Sequence, residues 1–241
     1  MTKQYKKLYS FGCSFTEGGG LNNQNFHRYL RGENDYSKTP EPVLSEHAEY
    51  ALQNSYPGYL SKILKCDFEN HGTSCAGNEF IINKAYDTIN GLENTNDILV
   101  TIQTSILSRM LLQMPMEKTF MNINNLNSID GNVKTFFKLY ITDFFDYEYA
   151  SKKLVQQIDI LPSWFESKNV DVLWLLYDMD VKHVQLKKHI VPFDNLSLGN
   201  YAFKNKLTIT DLPDFPYKDS HFSPAGNKHI ADVIHNHIVK T

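Results

Sequence analysis

Two short, near-continuous apolar runs, at 97–103 and 170–177, constrain the fold of this 241-residue chain more than any other feature. Runs of this length that are rich in Val, Ile and Leu are typical of strands buried on both faces of a parallel sheet. A third β-prone run, 7–11, stops at Gly12, and a shorter one covers 66–69. Because parallel strands need long crossover connections, usually helices, this pattern predicts an α/β fold.

Helical spacing of apolar residues fills much of the sequence between these runs. Ser55 is a candidate N-cap with Pro57 in the first helical turn, whereas Pro162 is expected to break or kink the helix that contains it. Residues 117–132 are rich in Asn and are predicted to be irregular. Helices are predicted at 56–64, 78–89, 136–167 and from 223 to about 239.

The polar stretch at about 19–55 stands apart from these elements. It begins in a run of three glycines and contains two prolines, and a structureless stretch of this length is unusual in a compact domain unless it has a function. The length of the chain suits one α/β domain. We therefore predict a single domain over 1–241 with an insertion or lid, here called the lid segment, at about 19–55.

The charge and the cysteines exclude several classes of function. A formal net charge of −3 with scattered lysines gives no basic footprint for nucleic acid. The three cysteines form neither a disulfide set nor a zinc motif, so we expect no metal and no other cofactor. No apolar run approaches the length of a membrane span or matches a signal peptide, so we expect no membrane partner and a cytoplasmic location by default.

Two short motifs near opposite ends of the chain carry residues that suit acyl-transfer chemistry. Gly12, Cys13 and Ser14 form a turn directly after the first strand, and a nucleophilic serine needs such a sharp turn with backbone N–H groups beside it. Asp219 and His221 lie just before the last helix, where His can act as the base for a serine and Asp can fix its tautomer. Each motif alone is also an ordinary turn or helix cap.

The expected sheet brings these motifs together. Ligands of parallel α/β sheets bind at the carboxyl ends of the strands. Ser14, the loop 70–78 and the residues after Gln103 all leave the sheet at that edge. The sequence therefore predicts one site built from several strand ends.

Taken together, these segments resemble the SGNH (GDSL-like) hydrolase family over nearly the whole chain. The Ser14 turn is similar to the first sequence block of that family, the loop 70–78 to the second, and Asp219 with His221 to the last. The resemblance implies a three-layer α/β/α, flavodoxin-like parallel sheet. It also implies a Ser-His-Asp esterase in which Ser14 is the nucleophile, His221 the base and Asp219 the orienting acid.

Several positions depart from the pattern of the family. The usual Gly-Asp-Ser is Gly-Cys-Ser here, and Asp219 precedes His221 by two residues instead of the commoner three. The second-block glycine, whose N–H would join that of Ser14 in the oxyanion hole, falls on Cys75, with Gly77 as an alternative register. The third-block Gly-x-Asn is absent. The resemblance then leaves three candidates for the side-chain donor to the oxyanion, which are Asn78, Thr104 and Ser105.

Other residues carry alternative interpretations. Cys13 is a conceivable nucleophile beside Ser14. Arg109 is a candidate for binding an anionic or carbohydrate group, although a surface salt bridge is the commoner role of such an arginine, and His71 is a candidate substrate contact. Asp178 and Asp180 follow a strand and are candidates for a cation, although carboxylates at strand ends are mostly ordinary loop residues.

The resemblance favours removal of an acyl group, such as acetyl, from a carbohydrate or a small ester. Aromatic residues in the lid segment (Phe26, His27, Tyr29 and Tyr36) suggest a surface that binds sugar. The competing hypothesis is a non-catalytic module of the same fold that binds glycan or has a structural role in a larger assembly. The missing third-block Asn favours that hypothesis, and the retained Ser, Asp and His oppose it.

Overall fold

A four-stranded parallel sheet forms the centre of the molecule. The computed structural model describes residues 3–33, 45–114, 119–123, 145–179 and 187–241. The strands are β1 (Lys7–Gly12), β2 (Asp67–Gly72), β3 (Ile98–Gln103), β4 (Met110–Met114), β5 (Thr119–Ile123) and β6 (Val170–Leu175). The strand order is β2-β1-β3-β6, with a separate antiparallel pair β4-β5, and the order of the main sheet is that of flavodoxin-like folds.

Helices flank the main sheet and connect its strands. The helices are α1 (Ser14–Glu17), α2 (Gln24–Leu30), α3 (Ser45–Asn54), α4 (Tyr56–Leu64), α5 (Asn78–Asn90), α6 (Tyr147–Ser167), α7 (Leu198–Lys204) and α8 (Pro224–Lys240), with short 3₁₀ helices at Lys187–His189 and Ile209–Asp211. The right-handed rule for parallel crossovers places α4 on one face and α5 and α6 on the other. The last helix, α8, packs directly against α4. Within the described ranges, none of the helices is both long enough and apolar enough to cross a membrane.

The pairing of β1 with β3 confirms the predicted parallel sheet and sets the register of the site. Every residue of β3 is buried, as its apolar run predicts. Ser10 pairs with Thr101, and their hydroxyl oxygens lie 2.7 Å apart in the core. The first residues beyond both strands therefore leave the sheet side by side.

The start of α4 follows the sequence prediction closely. The Ser55 side chain accepts a hydrogen bond from the backbone N–H of Gly58, and Pro57 occupies the first turn. The backbone N–H of Tyr56 donates to Asn227 Oδ1 at 2.9 Å, which ties this helix to α8. Both helices thus contribute to the same face of the sheet.

Two sequence predictions differ from the structure. The stretch 117–132 was expected to be irregular, but Thr119–Ile123 forms β5, because its backbone pairs in register with that of Met110–Met114. The helix predicted at 136–167 begins at Tyr147 within the described residues, and 136–144 lie outside them. Pro162 lies inside this helix, which continues to Ser167 and is not broken there.

The described part of the lid segment forms helices around a small core of Leu21, Phe26, Ala51 and Ile209. Phe26 is only 1% exposed, and His27 is buried against His47 with ring centroids 3.8 Å apart. The interpretation that Phe26 and His27 present a surface to sugar is therefore wrong. Tyr29 donates a hydrogen bond to the carbonyl oxygen of Pro213 at 2.8 Å, and Tyr36 lies outside the described residues.

Candidate active site

Ser14 is the first residue of α1, which begins immediately after the central strand β1. Its side chain is mostly enclosed, and the residue is 8% exposed. Gly12 makes this sharp turn possible, because a Cβ at that position would lie 1.9 Å from Thr16 Oγ1. The turn therefore holds the Ser14 hydroxyl at the carboxyl end of the strand.

Three side chains from the two ends of the sequence form one chain of hydrogen bonds. His221 Nε2 lies 2.9 Å from Ser14 Oγ, and His221 Nδ1 lies 2.6 Å from Asp219 Oδ1. Asp219 Oδ1 also accepts the backbone N–H of His221 at 2.9 Å. An ionised Asp219 can only accept, so the network assigns the Nδ1–H tautomer to His221 and leaves Nε2 to accept from Ser14.

The electrostatics of Asp219 suit this arrangement. Burial favours the protonated acid and raises the pKa of the carboxyl, but the hydrogen bonds and the charge of His221 outweigh burial. The net result is a pKa below the ordinary value. Asp219 is thus an anion at neutral pH and can stabilise an imidazolium at His221.

Close contacts confine the imidazole of His221 on several sides. The ring of Phe15 lies 4.9 Å from it, centroid to centroid. Gly19 is so near that a Cβ there would lie 2.9 Å from His221 Nε2, and a Cβ on Gly20 would lie 2.8 Å from Asp219 Oδ2. The glycine run drew attention in the sequence only as the start of the lid segment, although three glycines just after a candidate nucleophile are a usable signal of close packing.

Asp219 and His221 are held by a neighbouring segment, residues 207–211, here called the strap. Ile209 N–H donates to the His221 carbonyl at 2.8 Å, and Ser223 N–H donates to the Leu207 carbonyl at 2.9 Å. The hydroxyl of Thr210 accepts the N–H of Asp219 at 2.6 Å and lies 2.8 Å from the carbonyl oxygen of the same residue. Sequence reasoning missed the strap, because its hydrogen bonds join it to residues nine or more positions away.

The loop that resembles the second block is fastened to the nucleophile turn. Asn70 donates to the Thr16 carbonyl at 2.7 Å, and Thr73 N–H donates to the Gly12 carbonyl at 3.0 Å. Cys75 has a φ of +68°, in the left-handed region that glycine adopts most readily, whereas Gly77 has a φ of −84° and caps α5. The backbone conformation thus matches the register in which Cys75 occupies the glycine position.

The structure separates the three candidates for the side-chain donor by their contacts. The amide of Asn78 is engaged with the backbone of Ser105, whose N–H donates to Asn78 Oδ1 at 2.7 Å and whose carbonyl accepts from Asn78 Nδ2 at 3.2 Å. Thr104 Oγ1 accepts the N–H of Tyr177 at 2.9 Å and lies 3.5 Å from the Leu175 carbonyl oxygen. Asn78 and Thr104 therefore support the loop after β3.

Arg109 and His71, the predicted substrate contacts, have different surroundings. Arg109 Nη1 donates to the hydroxyl oxygen of Ser105 at 2.7 Å, and Arg109 lines a cavity of about 280 Å³ together with Phe145 and Tyr149. His71 lies on β2, where its ring stacks on Phe11 at 4.9 Å and its Nε2 is 3.1 Å from a carboxylate oxygen of Glu69. Contact of either residue with substrate stays a prediction.

The structure also shows the surroundings of Cys13, the alternative nucleophile, and of Asp178, a candidate cation ligand. Cys13 is 1% exposed, and its sulfur accepts a long hydrogen bond of 3.8 Å from Gln103 Nε2. Asp178 accepts the N–H of Leu107 at 3.3 Å, and burial raises the pKa of its carboxyl. Asp180 lies outside the described residues, among which no group of three or more His, Cys, Asp or Glu side chains is arranged to hold a metal ion.

Comparison with known proteins gives matches among solved structures alone. No family model and no curated protein matches the sequence. The fold is similar to a lipolytic protein of the G-D-S-L family from Veillonella parvula DSM 2008, with 10% identity, coverage of 96% of this chain and 97% of that one, and a TM-score of 0.45. A G-D-S-L family protein from Desulfitobacterium hafniense DCB-2 has 14% identity, coverage of 96% and 99%, and a TM-score of 0.42.

The α/β hydrolase LAE5 from the metagenome of Lake Arreo, Spain, is a third similar structure. It has 12% identity, coverage of 97% of this chain and 95% of its own, and a TM-score of 0.49. At these sequence identities the similarity concerns the backbone fold and not the side chains of the site. The chemistry of the site is therefore argued from its side chains.

Proposed function

We propose that this protein is a serine ester hydrolase in which Ser14 is the nucleophile, His221 the general base and Asp219 the residue that orients it. The observation that carries the proposal is the unbroken chain of contacts from Ser14 Oγ through the imidazole to the carboxylate, 2.9 Å and then 2.6 Å. Such a chain lets the base take the serine proton while its other nitrogen stays bonded to an anion. Ser14 and His221 are 207 positions apart in the sequence, so local turn formation alone does not explain their contact.

In the first half of the reaction, Ser14 Oγ attacks the acyl carbon of the ester and His221 Nε2 takes the hydroxyl proton. The tetrahedral intermediate collapses when His221 returns this proton to the leaving alcohol oxygen, and the acyl group stays on Ser14. In the second half, His221 takes a proton from water, which attacks the acyl-enzyme. The proton then passes to Ser14, and the free acid leaves.

Backbone N–H groups are available to hold the negative oxygen of each intermediate. Ser14 is the first residue of α1, and the first N–H groups of a helix have no partner within it. We assign the N–H groups of Ser14 and Cys75 to this role, because the second loop is fastened beside the nucleophile turn and Cys75 has the turn conformation that glycine favours. The oxyanion site is thus largely made from backbone.

For the substrate, we propose an ester of a small acyl group such as acetyl, on a carbohydrate or another small alcohol. A cavity beside Asn78 and Arg109 combines charged and amide groups with the aromatic rings of Phe145 and Tyr149, although none of the three proposed triad residues lines it. Tyr149 is 68% exposed and can cover the face of a sugar ring. Hydrolysis rates measured on a panel of acetylated sugars and short-chain esters rank these candidate substrates.

A fluorophosphonate probe, which forms a covalent bond to an activated serine, tests the nucleophile. We expect labelling of the wild type and of Cys13→Ala, and none of Ser14→Ala or His221→Gln. Labelling lost in Cys13→Ala but kept in Ser14→Ala would assign the nucleophile to the cysteine. If folded wild type shows no Ser14-dependent labelling, the hydrolase proposal fails, and glycan binding by the same fold becomes the hypothesis to test.

A further inference from the structure

The loop after β3 holds a buried hydroxyl whose proton has no acceptor among the described residues. Ser105 is 1% exposed, and its Oγ lies 2.7 Å from Arg109 Nη1. A guanidinium has donors and no acceptor, so Ser105 Oγ must accept in this contact. The proton of the hydroxyl is then left for another partner.

Ser105 and Ser14 leave the sheet at the same edge. Ser10 and Thr101 are paired residues of β1 and β3, and Ser14 and Ser105 each lie four residues beyond this pair. The two hydrogen bonds from Asn78 fix the backbone of Ser105 to the start of α5. Ser105 is therefore tied to the helix that follows the loop of Cys75, at the edge of the sheet where Ser14 lies.

The other two candidate side chains have committed most of their polar groups. The hydroxyl of Thr104 lies between Tyr177 N–H and the Leu175 carbonyl, and the amide of Asn78 uses its oxygen and one of its two N–H donors on the backbone of Ser105. Ser105 alone among the three has a hydroxyl proton that no described protein group accepts. A substrate anion at this edge would be its natural acceptor.

We propose that the Ser105 hydroxyl donates to the oxyanion of the tetrahedral intermediate, and that Arg109 is the positioning residue that turns and polarises this hydroxyl. This inference rests on the proposed ester hydrolase function. Arg109 Nε is buried and has no hydrogen-bond partner in the described part of the chain, and Nη1 of the same guanidinium donates to Ser105 Oγ. A cation near a developing oxyanion lowers the barrier more in a partly buried site than in water.

Kinetics of Ser105→Ala provide the main test. Removing one oxyanion donor typically lowers kcat by about 10²–10³-fold, and we expect a loss in this range with KM within about twofold of the wild type. Inhibition by phenylboronic acid, whose tetrahedral adduct carries the negative oxygen, should weaken in parallel, whereas a purely structural change would not separate kcat from KM. Ser108→Ala, three residues along the same loop, is the matched control and should behave as wild type.

Variants of Arg109 test the positioning role. Arg109→Met should lower kcat, and Arg109→Lys should recover part of the loss. Because Arg109 acts through Ser105, the double variant Ser105→Ala/Arg109→Met should be little slower than Ser105→Ala alone. Additive losses would overturn the positioning role, and the melting temperature of each variant shows whether it is folded.

Labelling separates failure of this inference from failure of the proposed function. If the probe labels Ser14 and Ser105→Ala keeps wild-type kcat and boronate affinity, Ser105 is not the donor and the hydrolase function stands. If neither the wild type nor any variant shows Ser14-dependent labelling, the hydrolase function itself fails.

Discussion

Replacing Gly19 by Ala should displace the base of the proposed triad without changing any residue that takes part in the chemistry. A Cβ at this position would lie 2.9 Å from both Nε2 and Cδ2 of His221, and 2.8 Å from the carbonyl oxygen of Ser14. The contact is steric and involves no change of charge. The N–H of Gly19 donates to the carbonyl oxygen of Ser14 at 2.6 Å, and this hydrogen bond opposes a shift of the Gly19 backbone away from His221.

The size of the effect follows from these distances. Ordinary contacts of a Cβ begin at 3.4 Å, so the imidazole or the Gly19 backbone must shift by about 0.5 Å. If the ring takes up the shift, the 2.9 Å contact with Ser14 Oγ lengthens toward the limit of a hydrogen bond. Misplacement of a reacting group by about 1 Å can cost 10²-fold in rate, so we expect kcat to fall by about 10- to 100-fold.

Steady-state hydrolysis of a short-chain ester and the rate of fluorophosphonate labelling both measure this loss. Gly91→Ala is the matched control, because a Cβ there meets its nearest neighbour, the Asp87 carbonyl oxygen, at 3.4 Å and φ is −80°. It should leave kcat unchanged and the stability equal or slightly higher. A Gly19→Ala protein with kcat within about twofold of wild type would refute the claim that Gly19 confines the catalytic imidazole.

Two further predictions concern the strap and the lid segment. Thr210→Val removes the hydroxyl that binds the backbone of Asp219, so we expect the free energy of unfolding in urea to fall by about 1–2 kcal/mol and kcat to decrease. Thr210→Ser keeps the hydroxyl and should behave as wild type. Equal kcat in all three proteins would contradict a positioning role for Thr210. Burial and the adjacent His47 lower the pKa of His27, so the unfolded chain binds more protons below about pH 6.5 and stability should fall as the pH drops through that value. Melting temperatures from pH 8 to 5 should decline less in His47→Phe, and an identical decline would show that repulsion between the two imidazoles is unimportant.

The central sheet could be predicted from the sequence because its signal is local. The run 97–103 has four apolar residues among its seven, three of them consecutive, and its strand is buried throughout. A short apolar run of this kind is removed from water most readily as a strand inside a covered sheet. The cap at Ser55 was predictable for the same reason, since the capping side chain and its partner N–H are three residues apart.

The surroundings of the site depend on contacts that a single sequence does not reveal. Thr210 is an ordinary threonine in a loop until Asp219 is placed against it, and Gly19 matters only because His221 packs on it. The error about Phe26 has the same origin, because an aromatic residue in a polar segment looks exposed until its apolar neighbours are known. The sequence shows which chemical groups are available, and tertiary packing decides which of them face the substrate.

The bond between Ser14 and His221 spans 207 positions of sequence, which has a consequence for folding. Bringing such distant residues together costs loop-closure entropy before any contact compensates for it, and sheets with non-local pairing fold slowly. Ser14, which follows β1, has no base until α8 docks on α4, where Asn227 accepts a hydrogen bond from the backbone of Tyr56. When the denatured chain is refolded, reactivity of Ser14 toward the fluorophosphonate probe should therefore return after the secondary structure has formed. The time course of labelling would then measure the rate of the last long-range step of folding.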